Sequence, residues 1–296
     1  MRQQELVYLG FVSIAVRVPA STSNLGAGFD CMGLALDLWL EARLIGGGGS
    51  PTYAGTLAGL APEHDLIART TRSAGLAGHW RLDARSDIPV GKGLGSSGAA
   101  LVAGLALAQL ARGADLDRDT LLEQATAIEG HPDNVGPALF GGLFLASPGG
   151  GRLTLNPALG IALAVPDASL DTRAARARLP RDVTREVAIA QAGRAAALIQ
   201  GLTQGRPELI AYGMEDQLAV PYRKAMIPGF DEAVAAGRAA GAYAVTISGA
   251  GSSLLGMGPS HLAGQIASMM AEALTAAGNR ATPMTPAVAM TGLAVI

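Results

Sequence analysis

The chain has 296 residues, with 22 Lys and Arg against 24 Asp and Glu, a formal charge of -2, a pI near 6.1 and 49% hydrophobic residues. That balance, with no run of basic residues, excludes the electrostatic footprint of a nucleic-acid or membrane-surface binder and leaves a small-molecule partner as the expectation; no stretch reaches the roughly 18 uninterrupted apolar residues that cross a bilayer. A single cysteine, Cys31, excludes an internal disulfide, and an N-terminus carrying Glu5, Gly10 and Ser13 lacks the basic start and long apolar run of a signal peptide, so a cytoplasmic protein is expected.

Taken in chain order, apolar periodicity predicts strands over Ser13–Val18 and Gly33–Ile45, the second stopped by the glycines at 46–49. Leu66–Gly75 reads as a short helix and His79–Ser86 as an alternating strand. Ser97–Leu110 reads as a long helix, apolar on most faces and therefore buried. Asp119–Glu129 repeats the helical period, with Asp117 or Asp119 available as its cap, and stops at Gly130 before the turn-like His131-Pro132-Asp133-Asn134. Gly142–Ala146 follows as a strand. Ser147–Gly151 and then Asn156-Pro157 form the clearest composition break, dividing the chain into expected domains 1–156 and 157–296. Beyond it, Ile161–Val165 and Ala242–Ser248 read as strands. Residues 184–200, 207–216, Phe230–Ala240 and Ser260–Ala277 read as helices, and Gly292–Ile296 suits a closing strand. Strands and helices alternate without an internal repeat, so an α+β or mixed α/β architecture is expected.

The segment Ile88-Pro89-Val90-Gly91-Lys92-Gly93-Leu94-Gly95-Ser96-Ser97 runs directly into the long apolar helix. Glycines at 91, 93 and 95 let the backbone approach a ligand closely, and the unpaired N–H groups of a helix start present partial positive charge, an arrangement suited to polyphosphate. It is not a Walker A loop, because Lys92 precedes the serines, and no His-Arg-Asp or Asp-Phe-Gly follows as in a protein kinase.

Pro89-x-x-x-Gly93-Leu94-Gly95-Ser96-Ser97 resembles the central motif of the GHMP kinase superfamily, named for galactokinase, homoserine kinase, mevalonate kinase and phosphomevalonate kinase. Val18–Leu36, with Asn24-Leu25-Gly26 and Gly28-Phe29-Asp30 intact, resembles the first motif of that family in its homoserine kinase branch. Ile247–Leu254 resembles the third motif, and Glu129–Val135 and Gln217–Lys224 resemble two further blocks of the branch, so the resemblance spans the chain. It implies an α+β fold of two domains, one like domain 2 of ribosomal protein S5 and one ferredoxin-like, with the active site between them. It also implies ATP and Mg2+ as cofactors, phosphorylation of the side-chain hydroxyl of L-homoserine in threonine biosynthesis, and a homodimer. A threonine, shikimate or mevalonate-type kinase of the same superfamily, and a nucleotide-binding regulator without catalysis, are the alternatives.

By the same resemblance, Pro89, Gly91, Lys92, Gly93, Leu94, Gly95, Ser96 and Ser97 cradle the nucleotide phosphates, and the Ser97 hydroxyl and Glu129 carboxylate hold the metal, hard oxygen ligands for a hard cation. Asp65 stands where relatives place an Asn beside adenine; an Asp accepts hydrogen bonds but does not donate as an amide does. For a zwitterionic substrate Asp30 is expected to take the ammonium, with Arg223 and Arg176 taking the carboxylate, although Arg173 and Arg178 stand in the same run as Arg176. Asn24, Asn134, His131, Asp133 and Gly249 complete the substrate side. Pro132-Asp133-Asn134 is equally a natural turn sequence. No residue matches the Asp base of mevalonate kinase relatives, so direct attack by the substrate hydroxyl is expected, with Asn134, Ser97 and Glu129 as the catalytic group.

Overall fold

A computed structural model describes residues 13–296; residues 1–12, on which most of the N-terminal reading rests, lie outside them. Strand β1 (Ser13–Ser23) pairs antiparallel with β2 (Met32–Gly46), running five residues beyond the predicted Val18 because Pro19–Ser23 continues the pairing past an irregularity. There Pro19 faces Trp39 while Ala20 faces Leu36, so Asp37 and Leu38 bulge out and the ribbon bends. The bend gives β2 two neighbours. Its far half meets β4 (Trp80–Ser86), itself edged by the parallel strand β3 (Thr52–Gly55); its near half, at Met32–Leu34, meets the hairpin of β5 (Leu143–Leu145) and β6 (Gly151–Leu153). The glycine-rich stretch 147–151, read as a break, is the turn of that hairpin.

Helix α1 (Leu66–Ser73), helix α2 (Ser96–Ala111), helix α3 (Arg118–Glu129) and helix α4 (Val135–Phe140) belong to the same half of the chain. As its composition predicts, α2 is buried on most faces, and α1 crosses it at Gly104, where a Cβ would stand 2.7 Å from the Ile67 carbonyl oxygen. Asp117, one of the two expected caps, accepts from the Asp119 and Thr120 amides.

The second sheet begins at β7 (Leu159–Pro166). A long crossover through α5 (Thr172–Ala177), α6 (Arg185–Gln204), α7 (Pro207–Gly213), α8 (Val220–Arg223) and α9 (Phe230–Ala239) leads to β8 (Ala244–Ile247) and β9 (Leu254–Pro259), and α10 (Ala263–Ala276) then leads to β10 (Ala281–Met284). The strand order β10-β7-β9-β8, wholly antiparallel, is that of a ferredoxin-like βαββαβ unit. One face of this sheet packs on α9 and α10 through Ala162, Ile247, Leu254, Ile266 and Met270. Its other face joins the first sheet's core, so Ile161, Leu163, Leu255 and Met257 share one cluster with Val18, Leu34 and Leu101.

The closing strand lies in the first sheet. β11 (Ala294–Val295), expected inside a unit spanning 157–296, pairs antiparallel with Val16 and Arg17 of β1, and Leu293 is buried against the first sheet. Apolar burial over α4 draws it there. The Leu293 amide donates to the Ala138 carbonyl oxygen at 2.8 Å, and Arg118 donates to the Leu293 carbonyl oxygen at 2.8 Å. Among the described residues no helix is long and apolar enough to cross a membrane.

Candidate active site

Gly91, Gly93 and Gly95 hold φ of 71°, 74° and 71°, a region that side-chain-bearing residues rarely enter. A Cβ on Gly93 would lie 2.2 Å from the Ser248 carbonyl oxygen, and one on Gly95 would lie 2.2 Å from Ser21 Oγ. The loop is therefore pressed between the end of β1 and the turn after β8. Ser248 Oγ donates to the Gly93 carbonyl oxygen at 2.7 Å and lies 2.8 Å from Thr22 Oγ, while the Ser253 amide donates to the Lys92 carbonyl oxygen at 3.1 Å. Beyond Gly95 the first amides of α2 have no intrahelical acceptor, and Ser96 and Ser97 line a cavity of about 270 Å³.

At the opposite wall, the loop after β1 holds Asn24, Leu25 and Asp30 at φ of 70°, 50° and 53°. Asn24 fixes this shape: its Oδ1 accepts from the Asp30 amide at 3.0 Å and its Nδ2 donates to the Gly249 carbonyl oxygen at 2.8 Å. The Asp30 carboxylate is held in a two-point fork by Arg176, at 2.8 and 2.9 Å. Arg223 is only 2% exposed and donates to two carbonyl oxygens, of Ala175 and Gly249, each at 3.3 Å. No carboxylate lies within ion-pair distance of it among the described residues, although burial and the nearby Arg176 charge both lower its pKa. Phe29 lies under both guanidinium groups, 5.8 Å from Arg176 and 5.5 Å from Arg223.

His131 and the buried Asp133 form a 2.5 Å contact through Nδ1. Burial opposes charging the imidazole, but the bond to Asp133 and the charges of Asp133, Glu129 and Asp30 outweigh it, and the pKa rises above the ordinary histidine value. Asn134 directly precedes α4, and its side-chain amide spans two serines of β1: Oδ1 accepts from Ser21 Oγ at 2.9 Å and Nδ2 donates to Ser23 Oγ at 3.1 Å, leaving one amide N–H. Ser97 Oγ donates to Glu129 Oε1 at 2.5 Å on the same cavity wall. Two hard oxygen donors this close beside a helix N-terminus fit a Mg2+ ion that accompanies a polyphosphate.

All the residues expected to bind the substrate line this one cavity, as do Gly91, Gly93, Gly95, Ser96, Ser97 and Glu129. Four expected nucleotide contacts, Pro89, Lys92, Leu94 and Asp65, do not. Leu94 is 1% exposed and packs into the core, the Lys92 ammonium turns to the Asp167 carbonyl oxygen, and Pro89 is half-buried and outside the cavity lining. Asp65 borders a second, apolar cavity that adjoins the first at Val90, Ser96 and Ser97. Its carboxylate is already occupied, with Oδ1 capping α1 at Ile67 and Ala68 and Oδ2 accepting from Tyr53. Sequence reasoning missed the apolar walls of that second cavity, Leu40, Leu57, Leu60 and Ile88, and also Ser23 and Thr172 in the first. Ser23 carried a signal, as one of three serines and threonines closing an otherwise apolar strand; the leucines carried none, because apolar residues near a turn read as core.

Two family models match the chain, one described as the GHMP kinases N terminal domain over residues 64–142 and one as the GHMP kinases C terminal over residues 196–276. A homoserine kinase of Synechocystis sp. is 39% identical over 90% of this chain and 93% of its own length. One of Clavibacter michiganensis is 41% identical over 83% of this chain and 82% of its own length. The crystal structure of homoserine kinase from Cytophaga hutchinsonii superimposes with a TM-score of 0.84 at 29% identity, covering 100% of this chain and 99% of that one. The fold extends to phosphomevalonate kinase of Streptococcus pneumoniae, at a TM-score of 0.66, 12% identity and coverage of 92% of this chain and 99% of that one.

Proposed function

Because the chain belongs to the homoserine kinase family of the GHMP kinases, and is thereby an ATP-dependent phosphotransferase with an alcohol acceptor, we propose that the cavity seats L-homoserine between Asp30 and Arg223. The observation that carries this assignment is Arg223 itself: a buried cation bonded, among the described residues, only to carbonyl oxygens, and lining the same cavity as a carboxylate. A buried charge without a counter-ion is costly, and a substrate carboxylate supplies the missing partner. Asp30, now shared with Arg176, takes the substrate ammonium, and Arg176 is then free to join Arg223 on the carboxylate. Mevalonate and shikimate lack the ammonium and leave Asp30 unmatched.

At the other end the amides of Ser96 and Ser97 and the glycines before them receive the phosphates, and the apolar cavity beside Val90 receives the base. Ser97 and Glu129 hold Mg2+, which when bound neutralises phosphate charge. The substrate hydroxyl oxygen bonds to the γ-phosphorus as the bond to the β-phosphate oxygen breaks, and ADP departs. The remaining Asn134 N–H orients the hydroxyl, and its proton passes to phosphate or solvent, no carboxylate base being assigned. Catalysis is thus mainly positioning and charge stabilisation. We also place this reaction in the cytoplasm, where ATP is at hand and Cys31 stays reduced.

The test is ADP formation with MgATP against L-homoserine, L-threonine, mevalonate and shikimate, using Asp30→Ala and Arg223→Ala as controls. Turnover with homoserine alone, lost in both variants, supports the assignment; turnover confined to another alcohol overturns the substrate. With EDTA the activity disappears and added Mg2+ restores it, and Glu129→Gln raises the Mg2+ concentration needed by about tenfold or more.

A further inference from the structure

Helix α6 lies outside the cavity and most of its residues face solvent, yet it buries Gln191 to 6% exposure. Each polar atom of that side chain is engaged. Nε2 donates to the Ala27 carbonyl oxygen at 3.2 Å and to Asp216 Oδ1 at 2.8 Å, and Oε1 accepts from the Gln217 amide at 3.1 Å. Ala27 sits in the left-handed loop that ends in Asp30. Asp216 collects the amides of Leu218, Ala219 and Val220 at 2.9, 2.7 and 2.6 Å, and so sets the start of α8, whose last residue is Arg223. On the cavity side the Gly249 carbonyl oxygen already joins Asn24 to Arg223. Gln191 joins the same two segments from behind.

We propose that Gln191 is a positioning residue for amino-acid specificity: one buried amide holds the loop of Asp30 and the turn of Arg223 at the separation that an ammonium and a carboxylate on a single carbon require. The argument rests on the reading of Asp30 and Arg223 given above. Those two charges of an α-amino acid are covalently fixed relative to each other, so the receptor gains both contacts only if its own two groups are fixed as well. Hydrogen bonds along either segment alone cannot do this, since Ala27 and Asp216 are 189 positions apart in the chain. Gln191 bonds to Ala27, Asp216 and Gln217 and, among the described residues, to none of the glycine loop or the start of α2, so the effect of losing the amide falls on the amino-acid side.

The experiment is steady-state kinetics of Gln191→Met, which keeps the length of the side chain and removes the amide, with thermal melting as a check on folding. The expected result is a KM for L-homoserine raised about tenfold or more, with KM for ATP and kcat at saturation within about twofold of the parent. An unchanged homoserine KM, or equal losses for both substrates, overturns the inference. If Gln191→Met does not fold, Gln191→Asn is read in its place, because it stays neutral and keeps an amide but is one methylene too short to bridge Ala27 and Asp216. Failure of the site reading looks different. In that case Asp30→Asn and Arg223→Lys leave the homoserine KM untouched, whereas loss of the present inference alone leaves those two variants impaired and Gln191→Met normal.

Discussion

Asp30 combines a left-handed backbone with the carboxylate proposed to take the substrate ammonium, so two substitutions separate these duties. Asn tolerates positive φ and removes only the charge. Asp30→Asn is expected to lower kcat/KM for homoserine about a hundredfold with little change in melting temperature, whereas Asp30→Ala loses stability as well; kinetics and calorimetry together check this. His131 makes a prediction in pH. Its raised pKa means that its charged form is stabilised in the fold, a contribution fully present below the ordinary value of about 6.5 and lost as pH rises through the higher folded value. The melting-temperature advantage of the parent over His131→Gln should therefore shrink steadily as pH is raised from about 6 upward. An advantage that grew with pH would contradict the assigned pair with Asp133. That Asp30, Arg176 and Arg223 stand together was an expectation from zwitterion chemistry, and they line one cavity. What Asn24 and Asn134 bind was not legible, since their partners Gly249, Ser21 and Ser23 stand 225, 113 and 111 positions away.

At the scale of elements, the long pieces were read correctly where one physical rule governed them: apolar periodicity for α2, a capping carboxylate for α3, alternation for β4. Elements of three to six residues such as β3, β6, α4 and α5 escaped, because so few residues carry no period and these segments are held by their neighbours. Asp65 marks where family resemblance and local physics diverge. It caps α1 and takes the hydroxyl of Tyr53, whose pKa is pushed up by burial and by that carboxylate. Asp65→Ala should cost about 1–2 kcal/mol of stability in denaturant melts, the typical loss for an N-cap, while Asp65→Asn keeps the capping oxygen and should stay close to the parent. The glycine turn is less forgiving. Gly95→Ala forces a side chain into the left-handed region against Ser21, and ATP-dependent turnover is expected to fall more than a hundredfold, measured with homoserine saturating.

For the whole molecule, the core shared by both sheets predicts a single cooperative unfolding transition, since neither half buries its apolar face without the other. Scanning calorimetry showing two separated transitions would count against that shared core. Leu293, 1% exposed in the packing over α4, belongs to the same unit, and Leu293→Ala should cost about 2–4 kcal/mol. The return of β11 to β1 was not legible, because a two-residue strand has no signal of its own and its partner lies almost a full chain length away.

That return has a consequence for the order of events during synthesis. Val16 and Arg17 are among the earliest described residues to leave the ribosome, yet the strand that covers their edge is made only after both sheets' other strands. Until residues 294 and 295 emerge, the β1 edge at Val16 and Arg17 lacks the partner strand that it has in the fold, and such an edge is a template for pairing with other chains. Covering that edge therefore takes segments from opposite ends of the described residues, and this pairing is among the last of the described contacts that synthesis makes possible.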